Sequence, residues 1–231
     1  MVGGRPDVTE QQIGFTSTRY HLSFLGYAVA LVCQQTPAYT GLAEQILKRL
    51  IELLLDYRCW SYVHFWWKGA EAHPFYCSEN IMYTGHLLML CTLYESLTGD
   101  DIFAKKDGIV AVAENGEVFK TCTMDLANHL SKLSRKSSTG GIACEPSCVF
   151  PPCQSHHLFS FRLLEAMHGK ETANFTAERI RWEQYMLKNM RASIPSGALK
   201  IFVSERLNGA IPVVNLLDTY TCCNVDSEAL P

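Results

Sequence analysis

Residues 79–97, ENIMYTGHLLMLCTLYESL, decide the fold class of this chain. Ser78 stands directly before the segment and is a favourable N-cap for a helix. Gly99 follows the segment, and a glycine at that place is typical of a helix C-terminus. We therefore predict a helix over residues 79–97, and the same helical periodicity of apolar side chains recurs along most of the sequence.

Further helices are predicted where apolar residues recur every three or four positions. They cover residues 20–34, a segment that starts at Thr40, and residues 125–134, 154–168 and 176–190. Residues 200–214 are instead β-like, with Asn208-Gly209 as the turn of one short hairpin. The sum is an all-α fold. Its successive antiparallel helix hairpins fit an incomplete α/α toroid of the (α/α)6-barrel type, with a simple helix bundle as the alternative.

The composition excludes several classes of function. The 231 residues are 48% apolar and include 20 basic and 23 acidic residues, which gives a net charge of −3. No basic stripe is present, so no nucleic acid partner is expected. The longest apolar stretch, residues 24–33, is shorter than the roughly 20 residues of a membrane-spanning helix, and no secretory signal precedes it. We expect a cytoplasmic protein with a single domain over residues 1–231.

The most distinctive segment is residues 141–155, GIACEPSCVFPPCQS, which holds three of the ten cysteines. Its prolines predict an irregular loop that leads directly into the next helix. Cys153 stands at the predicted start of that helix, where the helix dipole favours a thiolate. Such a sulfur is suited to acid–base or nucleophilic chemistry.

Two other interpretations of the cysteine loop stay open. The first is a zinc site formed by Cys144, Cys148 and Cys153 with His156 or His157, although these spacings are not those of standard zinc knuckles. The second is a structural role, because buried thiols commonly pack as small hydrophobic groups.

A second candidate for chemistry is His86, in the predicted helix 79–97. Met82 lies four residues before it and therefore shares its helix face. A single histidine in such a helix is more often a core residue than a catalyst. Gly85 weakens the helix by about 1 kcal/mol relative to alanine, which indicates close backbone packing or room for a ligand.

Both segments resemble the linalool dehydratase-isomerase family. Asn-Ile-Met-Tyr-x-Gly-His-Leu at residues 80–87 is similar to the helix that carries the family's active-site histidine. Gly-Ile-x-Cys-Glu-Pro at residues 141–146, with a further cysteine nine residues after the first, is similar to the family's cysteine loop. The similarity runs from about Tyr20 to Pro231.

The resemblance implies a role for each matching residue. The implied catalytic residues are His86, Cys144 and Cys153, and the implied substrate-binding residues are Tyr20, Met82, Phe150 and Tyr220. No cofactor and no metal ion are implied. Cys148 has no counterpart in the family's pattern. The family's parts upstream of Tyr20 and downstream of Pro231 are missing, so the resemblance implies a chain truncated at both ends.

The resemblance also implies an activity, namely dehydration or allylic isomerisation of a small apolar alcohol in secondary-metabolite biosynthesis. It implies a homo-oligomer whose sites are shared between subunits, and a disulfide from Cys153 to an upstream cysteine that this chain lacks. Two competing interpretations stay open. One is a non-catalytic remnant that binds a partner. The other is a glycan-active toroid enzyme with a carboxylate pair drawn from Glu71, Glu79 and Glu145.

Overall fold

The structure is a computed structural model that describes residues 8–190, 200–204 and 209–212. Helices predominate and strands are few and short, which confirms the prediction of a mostly helical chain. Among the described residues, no helix combines the length and the apolar character needed to cross a membrane. The assembly of the helices into an incomplete toroid and the single-domain organisation stay predictions.

One compact unit contains the residues up to Cys77 together with Leu90–Thr123. Its helices are α1 (Val8–Gln35), α2 (Thr40–Leu54), α3 (Tyr57–Trp60), α4 (Val63–Trp66) and the C-terminal part of α5 (Ile81–Thr98), with 3-10 turns at Pro37–Tyr39 and Gly69–Glu71. The buried residues of α2 follow the helical period and are Ala43, Leu47, Leu50, Ile51 and Leu54. This stripe packs α2 into the core of the unit.

The same unit holds a β-hairpin in a region that the sequence shows only as irregular. Strands β1 (Ile109–Val112) and β2 (Val118–Thr121) pair in antiparallel register, with Ile109 opposite Thr121. Ile109 and Ala111 are buried, whereas the alternate residues Val110 and Val112 are exposed. Because the exposed positions are also valines, the sequence lacks the apolar–polar alternation that indicates a half-buried strand.

The other compact unit contains Ser78–Met89 and the described residues from Met124 onward. Its elements are the N-terminal part of α5, then α6 (Thr123–Lys136), β3 (Cys148–Val149), α7 (Pro151–His168), α8 (Thr176–Tyr185), a π turn (Met186–Met190), β4 (Lys200–Ser204) and β5 (Gly209–Pro212). Strands β4 and β5 form the hairpin predicted at residues 200–214, and its predicted turn residue Asn208 lies outside the described residues.

A third strand joins this hairpin from the cysteine loop. Strand β3 pairs antiparallel with β4, with Cys148 opposite Ser204 and Val149 opposite Val203. Val149 and Val203 are both buried, so the loop contributes to the core of its unit. The loop that the sequence predicts as irregular is therefore held on one side by a small sheet.

Candidate active site

His86 lies in the first half of α5, a helix whose start is set by Asn80. Asn80 is buried and has a φ of 75°, a left-handed conformation that asparagine tolerates better than most residues. Its carbonyl oxygen accepts hydrogen bonds from the backbone N–H groups of Tyr83 and Thr84. The first turn is thereby fixed, and it places Met82 and His86 one turn apart with 3% and 0% of their surfaces exposed.

The cysteine loop is built around a tight turn at residues 145–148. The Cys148 N–H donates to the Glu145 carbonyl oxygen at 2.9 Å, and Ser147 has a φ of 63°. Pro146 in the second position and a positive φ in the third are the pattern of a type II turn. The Cys144 N–H then donates to the Cys148 carbonyl oxygen at 2.8 Å, which closes the loop and leaves Cys144 only 1% exposed.

Two hydrogen bonds attach this loop to the start of α5. The Ile81 N–H donates to the Ala143 carbonyl oxygen at 3.1 Å. The Glu79 carboxylate accepts the Ser147 N–H at 2.9 Å. Both motifs singled out in the sequence therefore meet in the structure, and Glu79, a candidate for a glycan-cleaving carboxylate, binds the loop backbone.

A fully buried amide, Gln154, holds the other side of the loop. Its Oε1 accepts the Ile142 N–H at 2.8 Å, and its Nε2 donates to the Ile142 carbonyl oxygen at 2.8 Å and to the Phe150 carbonyl oxygen at 3.1 Å. These three bonds satisfy backbone groups that water cannot reach. Gln154 thus fixes the loop against α7.

The two predicted cysteines are neighbours in the structure. Burial raises the pKa of the Cys144 thiol well above its usual range, and the neighbouring Cys153 side chain raises it further, whereas the backbone of Phe150 acts in the opposite direction. Cys153 is the third residue of α7, which begins with Pro151 and Pro152 at the positions where proline suits a helix best. No disulfide joins the two residues.

The comparison with known families decides the membership of this chain. A profile of the linalool dehydratase/isomerase family matches residues 19–227, which is most of the 231 residues. The chain belongs to this family. The match includes every residue for which a catalytic or substrate-binding role was predicted, and the family name indicates an enzyme of the dehydratase or isomerase type in general.

Two histidines, His156 and His157, follow the cysteine motif that this chain shares with the linalool dehydratase/isomerase family. The rings of His86 and His156 lie 3.9 Å apart between their centroids. His157 is fully buried against Phe161, and neither of its ring nitrogens has a hydrogen-bond partner among the described residues. Burial lowers the pKa of His156 to about 4 and that of His157 to about 3, so both rings are neutral near pH 7.

The other residues predicted from the resemblance are Phe150, Tyr20 and Tyr220. Phe150 is half-buried, and its backbone acts on the Cys144 thiol. Tyr20 belongs to the first unit, in α1, where the Arg19 guanidinium lies 4.8 Å from its ring centroid. Tyr220 lies outside the described residues. Within the described ranges, no three His, Cys, Asp or Glu side chains are grouped to hold a metal ion, so the geometry does not favour the zinc alternative.

The sequence alone did not reveal Gln154 or the stacking of His156 on His86. Gln154 stands directly after Cys153 in the quoted motif, but a glutamine there is equally compatible with an exposed helix face. His156 was considered only as a zinc ligand. In both cases the decisive contact joins residues 12 or more positions apart in the sequence. No local sequence pattern predicts such a contact.

Proposed function

We propose that this chain catalyses the cofactor-independent dehydration or allylic isomerisation of a small apolar alcohol, with Cys144 and Cys153 as its acid–base pair. The observation that carries the proposal is the proximity of these two thiols, in a loop fixed by Gln154 and the start of α5. A role in secondary-metabolite biosynthesis and sites shared within a homo-oligomer belong to the same proposal and rest on family membership.

Loss of water from an allylic alcohol needs an acid, a base and a dry surrounding. The acid protonates the hydroxyl group, because hydroxide is a poor leaving group. The base removes a proton from carbon, or activates water when the hydroxyl group is to be returned at the other end of the allyl unit. An apolar wall keeps bulk water from the carbocation-like transition state.

The protonation of the pair suggests which thiol has which task. Cys144 retains its proton near pH 7 because its pKa is raised, and it is therefore proposed as the acid. Cys153 lies next to Cys144 in the first turn of α7 and is less buried than Cys144, and it is proposed as the base.

The proposed dehydration is balanced in atoms and charge. Cys144 gives its proton to the hydroxyl oxygen, the C–O bond breaks, and water leaves with the bonding electrons. The Cys153 thiolate takes a proton from the neighbouring carbon, and those C–H electrons form the new double bond. The proton then passes from Cys153 to the neighbouring Cys144, which restores the starting state.

The remaining predicted residues have supporting roles in this proposal. Met82 is almost fully buried and Phe150 is half-buried, and both can present apolar surface to the substrate. His86 is proposed to orient or exchange protons with the thiol pair. Tyr20 and Tyr220 are proposed, on family resemblance, to bind the substrate hydroxyl group.

The test is a gas-phase product assay of the purified chain with linalool, geraniol and longer allylic alcohols. The chain is compared with Cys144→Ala and with Cys148→Ala as a matched control, because Cys148 belongs to the same loop but to no proposed catalytic step. We expect a diene or an isomeric alcohol from the native chain, with a loss of at least about 100-fold for Cys144→Ala and less than about 3-fold for Cys148→Ala. No product from a folded chain with any of these alcohols would refute the proposal.

A further inference from the structure

Two imidazole rings pack closely against each other, at a moderate tilt, in the compact unit that holds the proposed thiol pair. His86 of α5 and His156 of α7 have ring centroids 3.9 Å apart, with 32° between their planes. This separation is shorter than the roughly 4.5–7 Å typical of aromatic pairs in proteins. His86 is fully buried, whereas His156 keeps part of its surface exposed.

The absence of a side chain at Gly85 allows this approach. A Cβ atom placed there would lie 3.3 Å from the Ile81 Cδ1 and 3.6 Å from the Cβ of His156. Any larger side chain would extend into the space that His156 occupies. The missing side chain at Gly85 therefore allows the close packing that the sequence predicted. The residue packed there is His156.

The stacked geometry decides how the two rings can interact. The N–H bonds and the nitrogen lone pairs of an imidazole lie in the plane of its ring. Two stacked rings consequently cannot point these groups at one another, and a proton cannot pass directly from His156 to His86. His156 instead offers His86 the face of its π system.

The charge state of His156 suits this contact. Burial keeps its ring neutral near pH 7, and its neighbour His157 is neutral for the same reason. A neutral ring face attracts a cation. An imidazolium formed transiently on His86 would be stabilised by it, whereas a second positive charge at this distance would repel it.

We propose that His156 is a positioning residue that clamps the ring of His86 by stacking and so holds it in one orientation for proton exchange with the cysteine pair. His156 is three residues after Cys153 on α7 and therefore close to the same helix face, which couples the clamp to the thiol pair. The catalytic part of this inference rests on the function proposed above.

The kinetic test compares three variants of the full chain. His156→Ala removes the ring, His156→Phe keeps a ring without nitrogens, and His168→Ala alters an exposed histidine in the last turn of the same helix. For His156→Ala we expect kcat to fall about 10-fold while KM changes less than about 2-fold, since a lost clamp weakens orientation more than binding. His156→Phe should recover most of kcat, and His168→Ala should resemble the native chain.

Equal losses in His156→Ala and His156→Phe would overturn the stacking role, as would a native kcat in His156→Ala. A second measurement does not depend on turnover. In NMR spectra of histidine-labelled protein, with His86→Gln used to identify the His86 ring signals, stacking should shift those signals upfield. The shift should persist in His156→Phe and vanish in His156→Ala.

Unshifted His86 signals in the native chain would refute the clamp even if the enzyme is active. If the native chain converts no alcohol, the proposed function fails. In that case the stacking contact is still established if the upfield shift is present in the native chain and in His156→Phe but absent in His156→Ala. The two failures are therefore distinguishable.

Discussion

His157 shows how a single residue makes the stability of the protein depend on pH. Its ring is fully buried without a hydrogen-bond partner among the described residues, and burial lowers its pKa from 6.5 to about 3. Below pH 6.5 the unfolded chain takes up a proton that the folded chain refuses. The contribution of neutral His157 to the unfolding free energy is therefore fully present above pH 6.5. It is lost progressively as the pH falls towards 3.

We predict that the native chain loses about 2 kcal/mol more unfolding free energy between pH 6.5 and pH 5 than the variant His157→Phe does. Urea unfolding at both pH values measures this difference. The matched control is His168→Gln at an exposed position, which should behave as the native chain does. Equal pH dependence in the native chain and His157→Phe would show that His157 is not the group responsible.

At the residue scale, the sequence motif identified Cys144 and Cys153 as candidates, and the two residues are neighbours in the structure. Their catalytic role stays a prediction. The roles that we assign to them depend on burial, which differs between two cysteines of one short loop: Cys144 is buried and Cys153 is partly exposed. Spacing along the chain carries no information on that difference.

At the scale of elements, the attachment of the cysteine loop to α7 depends on Gln154. We predict that Gln154→Leu lowers the unfolding free energy by about 3 kcal/mol, because it leaves backbone groups of Ile142 and Phe150 buried without partners. Turnover should fall as well, since the loop carries Cys144. Chemical denaturation and the product assay measure the two effects.

The neighbouring variant Ser155→Ala is the control for Gln154→Leu. The Ser155 hydroxyl is half-buried and, among the residues that the structure describes, donates to the Pro152 carbonyl oxygen of its own helix, so its loss should cost less than about 1 kcal/mol. Similar stability losses in both variants would contradict the role given to Gln154.

The contact between the loop and α8 yields another prediction at this scale. A Cβ atom at Gly141 would lie 2.6 Å from Trp182 Cζ3 and 2.6 Å from Val149 Cγ1, a distance that real side chains do not adopt. Gly141→Ala should therefore destabilise the chain by about 1–3 kcal/mol, as overpacked cores do. Thermal unfolding measures the loss.

Gly41→Ala is the matched control, because Gly41 is the second residue of α2 and a Cβ there would meet nothing within 4 Å. Alanine suits a helix better than glycine, so this variant should be as stable as the native chain or slightly more stable. A stable Gly141→Ala protein would show that Trp182 or Val149 can move away.

The helices themselves were largely predictable from periodicity. The helix predicted over residues 79–97 is found at Ile81–Thr98, and that predicted over 154–168 begins three residues earlier, at Pro151. The larger differences lie at the helix starts, where Asn80 with its positive φ and the paired prolines decide the boundary. The hairpin β1–β2 was missed because valines occupy its exposed face.

At the scale of the whole molecule, family membership and mostly helical architecture followed from two motifs and a helical period. What did not follow were the contacts between distant segments, namely Gln154 with Ile142, Glu79 with Ser147, and His156 with His86. Such contacts are made by folding rather than by local preference, because each joins elements whose approach is set by the packing of the unit. The proposed function depends on these same contacts.

The most direct test of the central claim is a double-mutant cycle on the thiol pair. Turnover of an allylic alcohol is measured for the native chain, Cys144→Ser, Cys153→Ser and the double variant. If the two thiols act as one acid–base pair, each single change should slow turnover by about 100-fold or more, and the double variant should be no slower than the worse single variant. Losses that multiply in the double variant, or single variants that keep native turnover, would contradict the account.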